Sequence, residues 1–264
     1  MDDIQLFNDD CFNIFPTLED KSINLFILDL PYGQTACHWD SVIDLDEMWK
    51  HIKRIMKPNA LIVFFCTAKF GNTLINANPK WFKYDLIWKK SRKVGFLSAN
   101  KMPLRQHENI YVFNDKPVTH SKNKNQEYST YNPQKIEGKP FKVKGGKSKA
   151  VDGSLSRGHE VISKEYENKG DRHPTSILNE IPEYEGDTIL IYKNPHKTIH
   201  RTQKPVELLE WLIKTYSNEG DLVMDFTMGS GTCGIACMNT KRKFIGVEMD
   251  EEIFNLAKDR IEKV

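Results

Sequence analysis

Asp29, Pro31 and Tyr32 carry the first spacing in the chain that could do chemistry. They follow the run Ile23-Asn24-Leu25-Phe26-Ile27-Leu28, whose near-continuous apolar character suits a buried parallel strand. Such a strand delivers Asp29 to the carboxyl edge of a sheet, where ligands collect. A carboxylate followed by a proline carbonyl and an aromatic ring can grip a planar amine. Asp29 and the Pro31 C=O would accept its two N–H bonds while Tyr32 stacks on the ring. In isolation the same residues also read as a capping Asp with a Pro-Tyr turn.

A second stretch, Asp225-Phe226-Thr227-Met228-Gly229-Ser230-Gly231-Thr232, follows Leu222-Val223-Met224 and opens a helix-like run from Gly231 to Met238. A strand, a glycine turn and a helix N-terminus suit a nucleotide-like ligand, because glycines admit close backbone approach and free amides face the ligand. Phe244-Ile245-Gly246-Val247-Glu248 reads as a further strand ending in a carboxylate able to accept both hydroxyls of a ribose. An ordinary β-to-α turn is the alternative for the glycines taken alone, and Glu248 at this spacing tilts the balance towards a ligand. No G-K-S/T follows the turn, which disfavours a nucleoside triphosphate.

Together the two stretches resemble the D-P-P-Y and F-x-G-x-G signatures of S-adenosylmethionine-dependent amino-methyltransferases acting on DNA. The catalytic motif precedes the cofactor motif, the order of that family's permuted β group. Asn8-Asp9-Asp10-Cys11 resembles its G-D-C element and the segment Gly95 to Glu108 its stretch between the last two strands. His200-Arg201-Thr202-Gln203-Lys204-Pro205 resembles H-P-T-Q-K-P. Leu30 replaces the first proline of D-P-P-Y, Phe226-Thr227 stands where Pro-Phe is usual, and Arg201 replaces a proline. None of these changes removes a hydrogen-bonding group that the chemistry needs.

The resemblance implies an α/β class I methyltransferase: a doubly wound, mostly parallel seven-stranded sheet, the last strand inserted antiparallel, with an inserted target-recognition region. The implied activity is methyl transfer from S-adenosylmethionine to adenine N6 of a base flipped out of duplex DNA, within restriction-modification chemistry. Cytosine N4 is the rival, and a catalytically silent DNA-binding relative is the reading from another class. Relatives with Ser in place of Asp29 often act on cytosine, so Asp29 favours adenine. By the same resemblance Gly229, Gly231 and Thr232 approach the methionine part of the cofactor, with Asp225, Phe226 and Thr227 beside them. Glu248 binds ribose, Asp10 lies near the adenine and Lys204 meets the cofactor carboxylate. Asp10 also reads as a helix cap and Lys204 as a first-turn surface lysine.

The elements that must position these residues are legible from hydrophobic pattern. Strands are predicted at Ile4 to Phe7, Asn24 to Leu28, Ala60 to Cys66, Lys83 to Trp88, Asn109 to Phe113, Leu222 to Asp225 and Lys243 to Glu248. Helices are predicted at Leu45 to Met56, Pro205 to Tyr216, Thr232 to Met238 and Glu251 to Ile261. Residues 1–113 would form the catalytic part of one domain and 200–264 its cofactor-binding part, with 114–199 inserted between them.

The insertion changes character. Lys116 to Lys149 holds nine lysines against Glu127 and Glu137, with Tyr128, Tyr131 and Phe141 interleaved. It reads either as a solvated run or as a DNA backbone contact through Lys142, Lys144, Lys147 and Lys149. Lys90, Arg92 and Lys93 lie in an acid-free stretch that, with Arg105, extends the same expectation.

A chain of 264 residues with 39% apolar content, a net charge of +2 and five irregularly spaced cysteines fits a cytoplasmic, nucleoid-associated protein with no membrane partner. Cys233 and Cys237 read as helix packing, and no metal is expected. The partner expected is double-stranded DNA; a homodimer and a cognate restriction enzyme are left open.

Overall fold

β2 (Ile23–Leu28) explains why the sheet is buried on both faces: Leu25 and Ile27 enter one core, Phe26 and Leu28 the other. β3 (Met56–Cys66) repeats the alternation, with Leu61, Val63 and Phe65 on the first side and Ile62, Phe64 and Cys66 on the second. Asn24 is the polar exception in β2. It sits at an irregularity in the β2/β3 register, where its Oδ1 accepts from Leu222 N at 3.1 Å and Lys57 Nζ at 2.9 Å.

The structure, a computed structural model, describes residues 3–33, 43–118, 125–148, 161–163, 165–178 and 203–264. Before β2 come β1 (Ile4–Phe7) and α1 (Cys11–Ile14). Around β3 lie α2 (Leu45–Ile55), α3 (Ala68–Ala77), β4 (Phe82–Val94) and β5 (Arg105–Phe113). The short strands β6 (Ile136–Glu137), β7 (Phe141–Val143), β8 (Gly146–Ser148), β9 (Val161–Ser163), β10 (Tyr166–Asn168) and β11 (Asp171–Arg172) follow, then β12 (Ile177–Leu178). The chain ends with α4 (Val206–Tyr216), β13 (Leu222–Asp225), α5 (Thr232–Asn239), β14 (Lys243–Val247) and α6 (Glu251–Ile261).

Among the described residues one large sheet has the order β1-β14-β13-β2-β3-β5-β4-β12, parallel throughout except for β5. The expected seven strands are therefore joined by an eighth, the two-residue β12, which pairs with Ile87 and Trp88. α4, α5 and α6 cover one face and α1, α2 and α3 the other, which makes the sheet doubly wound. α2 is capped by Asp44, whose side chain accepts from Glu47 N, with acids in its first turn and Lys53 and Arg54 in its last.

The strand order reverses between β2 and β13: the chain leaves β2 towards β3 on one side, and β13 towards β14 on the other. Asp29 follows β2 directly and Asp225 ends β13, so both acids stand at the switch point.

Two compact units partition the chain. The larger comprises Met1–Asn132, Ser176–Glu180 and Ile191–Val264; the smaller comprises Pro133–Thr175 and Ile181–Leu190. Among its described residues the smaller unit contains three two-stranded pairings, β7 with β10, β6 with β11 and β8 with β9.

Candidate active site

Three strand ends and the Gly229 turn build the wall of a cavity of about 720 Å³ within the larger unit. Asp29, Pro31 and Tyr32 line it after β2, and Asp225, Phe226, Thr227 and Gly229 line it after β13. Glu248 lines it after β14, together with Asp10 and Thr232.

Asp29 is held from two sides. Its Oδ1 accepts from the Tyr32 hydroxyl at 2.7 Å, and Lys204 Nζ stands 2.5 Å from Oδ2. The Tyr32 oxygen also lies 3.1 Å from the Phe65 carbonyl, and its ring leans on Phe70 with centroids 4.9 Å apart. Burial, with Asp29 next in weight, pushes the Tyr32 phenol far above its ordinary value, so it remains a proton donor.

Lys204 is not the surface lysine that its place before α4 allows. It is 9% exposed, packs over the Phe65 ring at 4.9 Å, and lies 3.2 Å from Glu108 Oε1 as well as against Asp29. Burial pulls its ammonium down, but Asp29 and Glu108 outweigh burial and hold it above its ordinary value. Glu108 in turn meets Lys90 Nζ at 2.5 Å. Burial raises the Glu108 carboxyl, and the two lysines more than offset this and keep it low. Tyr32, Asp29, Lys204, Glu108 and Lys90 thus form one chain of contacts. Glu108 is the member that sequence reasoning passed over: an acid shortly before the apolar run Ile110 to Phe113 was the available signal.

Lys90, expected at a DNA contact, pairs with Glu108, and its ammonium sits 4.9 Å over the Trp88 ring in the cavity wall. Arg92 and Lys93 are exposed at the far end of β4, and Arg105 spends its Nε on the His107 carbonyl at 3.2 Å.

On the glycine side Gly229 has φ +51° and open space where a Cβ would stand; its N–H donates to Glu248 Oε2 at 3.0 Å. Glu248 Oε1 accepts from Asp250 N at 3.0 Å. Burial outweighs these donors and raises the Glu248 carboxyl. Gly231 is not among the residues lining the cavity; at φ +75° a Cβ there would come within 3.0 Å of Ala257 and 3.1 Å of Ile261 on α6. The absence of a Cβ here gives the turn room against α6.

Asp225 N-terminal to the turn is buried, which pushes its carboxyl up to about 8; the Thr227 N–H opposes this, while Asp29 and Glu248 add to it. Phe226 packs edge-on against Phe15 at 5.0 Å, and Thr232 lies 3.4 Å from Ser230 Oγ. Asp10 caps α1 by accepting from Phe12 N at 2.8 Å, and it also lines the cavity. Cys233 and Cys237 are buried in the core beside α4 and α6, as packing predicts.

Lys142 and Lys144 are exposed in the smaller unit, the former 3.4 Å from Glu167. Lys149, the Lys147 side chain, and His200, Arg201 and Thr202 lie outside the described residues. Among the described residues no helix is long and apolar enough to cross a membrane.

Among the described residues eight carboxyl groups against three Lys or Arg line the cavity, an electrostatic match for a cationic ligand. A carboxylate at the end of β14, a glycine with open space before it and a switch-point cleft suit a nucleoside cofactor in the class I methyltransferase architecture. Sequence comparison supplies the particular family. The profile of the family described as DNA methylase matches residues 23–259, and the chain belongs to that family of S-adenosylmethionine-dependent enzymes.

It is 27% identical over 266 residues to the type II methyltransferase M1.MboII of Moraxella bovis, covering 94% of this chain and 92% of the relative. Among solved structures it is similar to the M1.HpyAVI–SAM complex, with a TM-score of 0.58 and 21% identity over 97% of this chain and 99% of that one. It is also similar to the PvuII DNA methyltransferase (cytosine-N4-specific), with a TM-score of 0.63 and 16% identity over 98% and 86% of the two chains.

The residues fit S-adenosylmethionine. Glu248 would hold its ribose, Asp10 would lie by its base, and Gly229 and Thr232 would face its methionine part. The cofactor supplies a methyl group made electrophilic by its sulfonium. Asp29 and the Pro31 carbonyl would accept N–H hydrogen bonds from an amine and so orient its lone pair.

Proposed function

We propose that the chain methylates N6 of adenine in a specific duplex DNA sequence, with the target base flipped into the cavity beside Tyr32. The carrying observation is the Asp29 carboxylate, fixed by Tyr32 and Lys204 at the switch point where the glycine turn also ends. The exocyclic amine of adenine is a poor nucleophile because its lone pair is delocalised. Hydrogen bonds accepted by Asp29 and Pro31 favour a pyramidal nitrogen, so orientation and electrostatics supply the catalysis. No covalent enzyme intermediate is needed. The target atom is inaccessible in a stacked duplex, which is why extrusion belongs to the reading.

The order of the motifs along the chain, Asp29 before Gly229, supports membership of the permuted β group. Lys142 and Lys144 support a phosphate contact in the smaller unit. Cytosine N4 offers the same kind of amine and is the second reading, favoured by the fold similarity to a cytosine-N4-specific enzyme. A cytoplasmic site of action on nucleoid DNA follows from the substrate.

Asp29→Ala decides the catalytic assignment. Transfer of tritiated methyl to unmethylated genomic DNA should be abolished while calorimetry shows cofactor affinity within about twofold, since Asp29 acts on the amine. Near-normal transfer would remove the assignment. Single-molecule sequencing of DNA treated with the wild-type chain reads base and site together: modified cytosine in place of adenine would hand the reading to N4 chemistry.

A further inference from the structure

β4 and β5 continue past the sheet as a two-stranded ribbon whose last pair is Val94 with Arg105, and both residues line the cavity. Beyond that pair the connection carries Phe96 at 81% exposure and Leu97 at 99%, with Val94, Met102 and Leu104 also exposed. Single exposed apolar residues are ordinary, but five within eleven positions of one connection are not.

The tip is ordered rather than slack. Gly95 adopts φ +91° and the 3-10 turn Phe96–Ser98 follows. Ser98 N donates to the Gly95 carbonyl at 2.9 Å, Ala99 N to Phe96 at 3.0 Å and Lys101 N to Ser98 at 2.8 Å. Backbone hydrogen bonds therefore hold Phe96 and Leu97 outward in a fixed turn. Around them Arg92, Lys93 and Lys101 are exposed, and no acid occurs from Lys89 to Gln106.

An apolar point flanked in sequence by exposed cations, rising from the rim of a cavity that must admit a base, matches one occupant: the stacked bases of a polyanionic duplex. We propose that Phe96 and Leu97 form a wedge that enters the base stack next to the target and holds open the gap that the flipped base leaves. Arg92, Lys93 and Lys101 meet the flanking phosphates. This rests on the reading of the chain as a DNA methyltransferase. Apolar side chains used in this way offset part of the cost of unstacking. A membrane surface or a second copy of the chain would also cover apolar residues, but neither accounts for the position of the tip at the cavity rim.

The test is the double variant Phe96→Ala/Leu97→Ala, two exposed positions with no packing role, so its melting temperature and cofactor affinity should match the wild type. The target site is first mapped with the wild-type chain. Methyl transfer is then compared on a fully paired duplex carrying that site and on the same duplex with an abasic position opposite the target base.

The variant should lose about tenfold or more on the paired duplex and recover to within about threefold on the abasic one, where unstacking is already done. Fluorescence of 2-aminopurine at the target position should rise on wild-type binding and fail to rise with the variant. Equal loss on both duplexes would overturn the wedge and leave a plain affinity contact. Unchanged activity on both would overturn it as well. Self-association by the wild type that the variant lacks, with methyl transfer intact, would assign the tip to a protein interface. A wild-type chain that moves methyl to neither duplex would remove the functional reading itself, and the wedge with it.

Discussion

Tyr32 does more at its hydroxyl than stacking alone requires. On the sequence argument a ring suffices, so Phe should replace it; in the structure its oxygen fixes Asp29 Oδ1 at 2.7 Å. Losing a hydrogen bond to a charged group is worth roughly 1.5–3 kcal/mol. Tyr32→Phe should therefore lower the single-turnover methylation rate by about 10- to 100-fold with cofactor affinity unchanged.

Asp225 makes a pH prediction. Its folded value of about 8 exceeds the ordinary carboxyl value, so the folded chain holds the proton more tightly than the unfolded one does. Stability is then largest at low pH for this group, and falls as pH rises from about 4 to about 8. Asp225→Asn should flatten that slope and melt above the wild type at pH 9, as thermal scans at pH 5, 7 and 9 would show. A cationic ligand in the cavity favours the charged carboxylate. Wild-type affinity for S-adenosylmethionine should accordingly rise between pH 6 and 8 with release of a proton, and the Asn variant should lose that rise in calorimetry.

At the scale of elements, Gly231 separates two jobs that one glycine turn had been expected to do together. A Cβ at Gly231 presses on α6, and at Gly229 it meets open space. Gly231→Val should cost about 2–3 kcal/mol of stability through overpacking and a strained φ, read as a lowered melting temperature. Gly229→Ala should instead weaken cofactor binding with a smaller thermal effect, and the reverse pattern would exchange their roles.

The strands of the sheet were legible because burial on both faces writes continuous apolar runs, as in β2 and β13. β4 and β5 run longer than predicted, to Val94 and from Arg105, because their ribbon leaves the core and loses any apolar period. α3 was not foreseen. Gly71 lies within it, and a Cβ there would collide with the Tyr111 ring, so tertiary packing sets that position against its helix propensity. Asp29, Asp10 and Glu248 were readable as carboxylates at predicted strand ends. Glu108 was not, since its partners Lys90 and Lys204 lie 18 and 96 residues away and only the fold brings them together.

At the scale of the molecule, the smaller unit carries exposed Lys142 and Lys144, and the functional reading assigns them to phosphates. Replacing both with Gln should weaken binding to every duplex sequence alike. It should also flatten the salt dependence by up to about 0.9 log units per lost contact, without changing the methylated motif. Unchanged binding and slope would make these lysines a solvated surface.

The pairing of β1 with β14, and of β2 with β13, sets a schedule for synthesis on the ribosome. Asn24 waits for Leu222, and Phe7 for Val247, so the central strand keeps one edge open until nearly the whole chain has emerged. Such late, distant closures make folding slow and leave an unpaired strand as a template for association. A nascent fragment stopped before β13 should therefore aggregate or bind chaperones, whereas two fragments cut between β12 and α4 should complement each other when produced together.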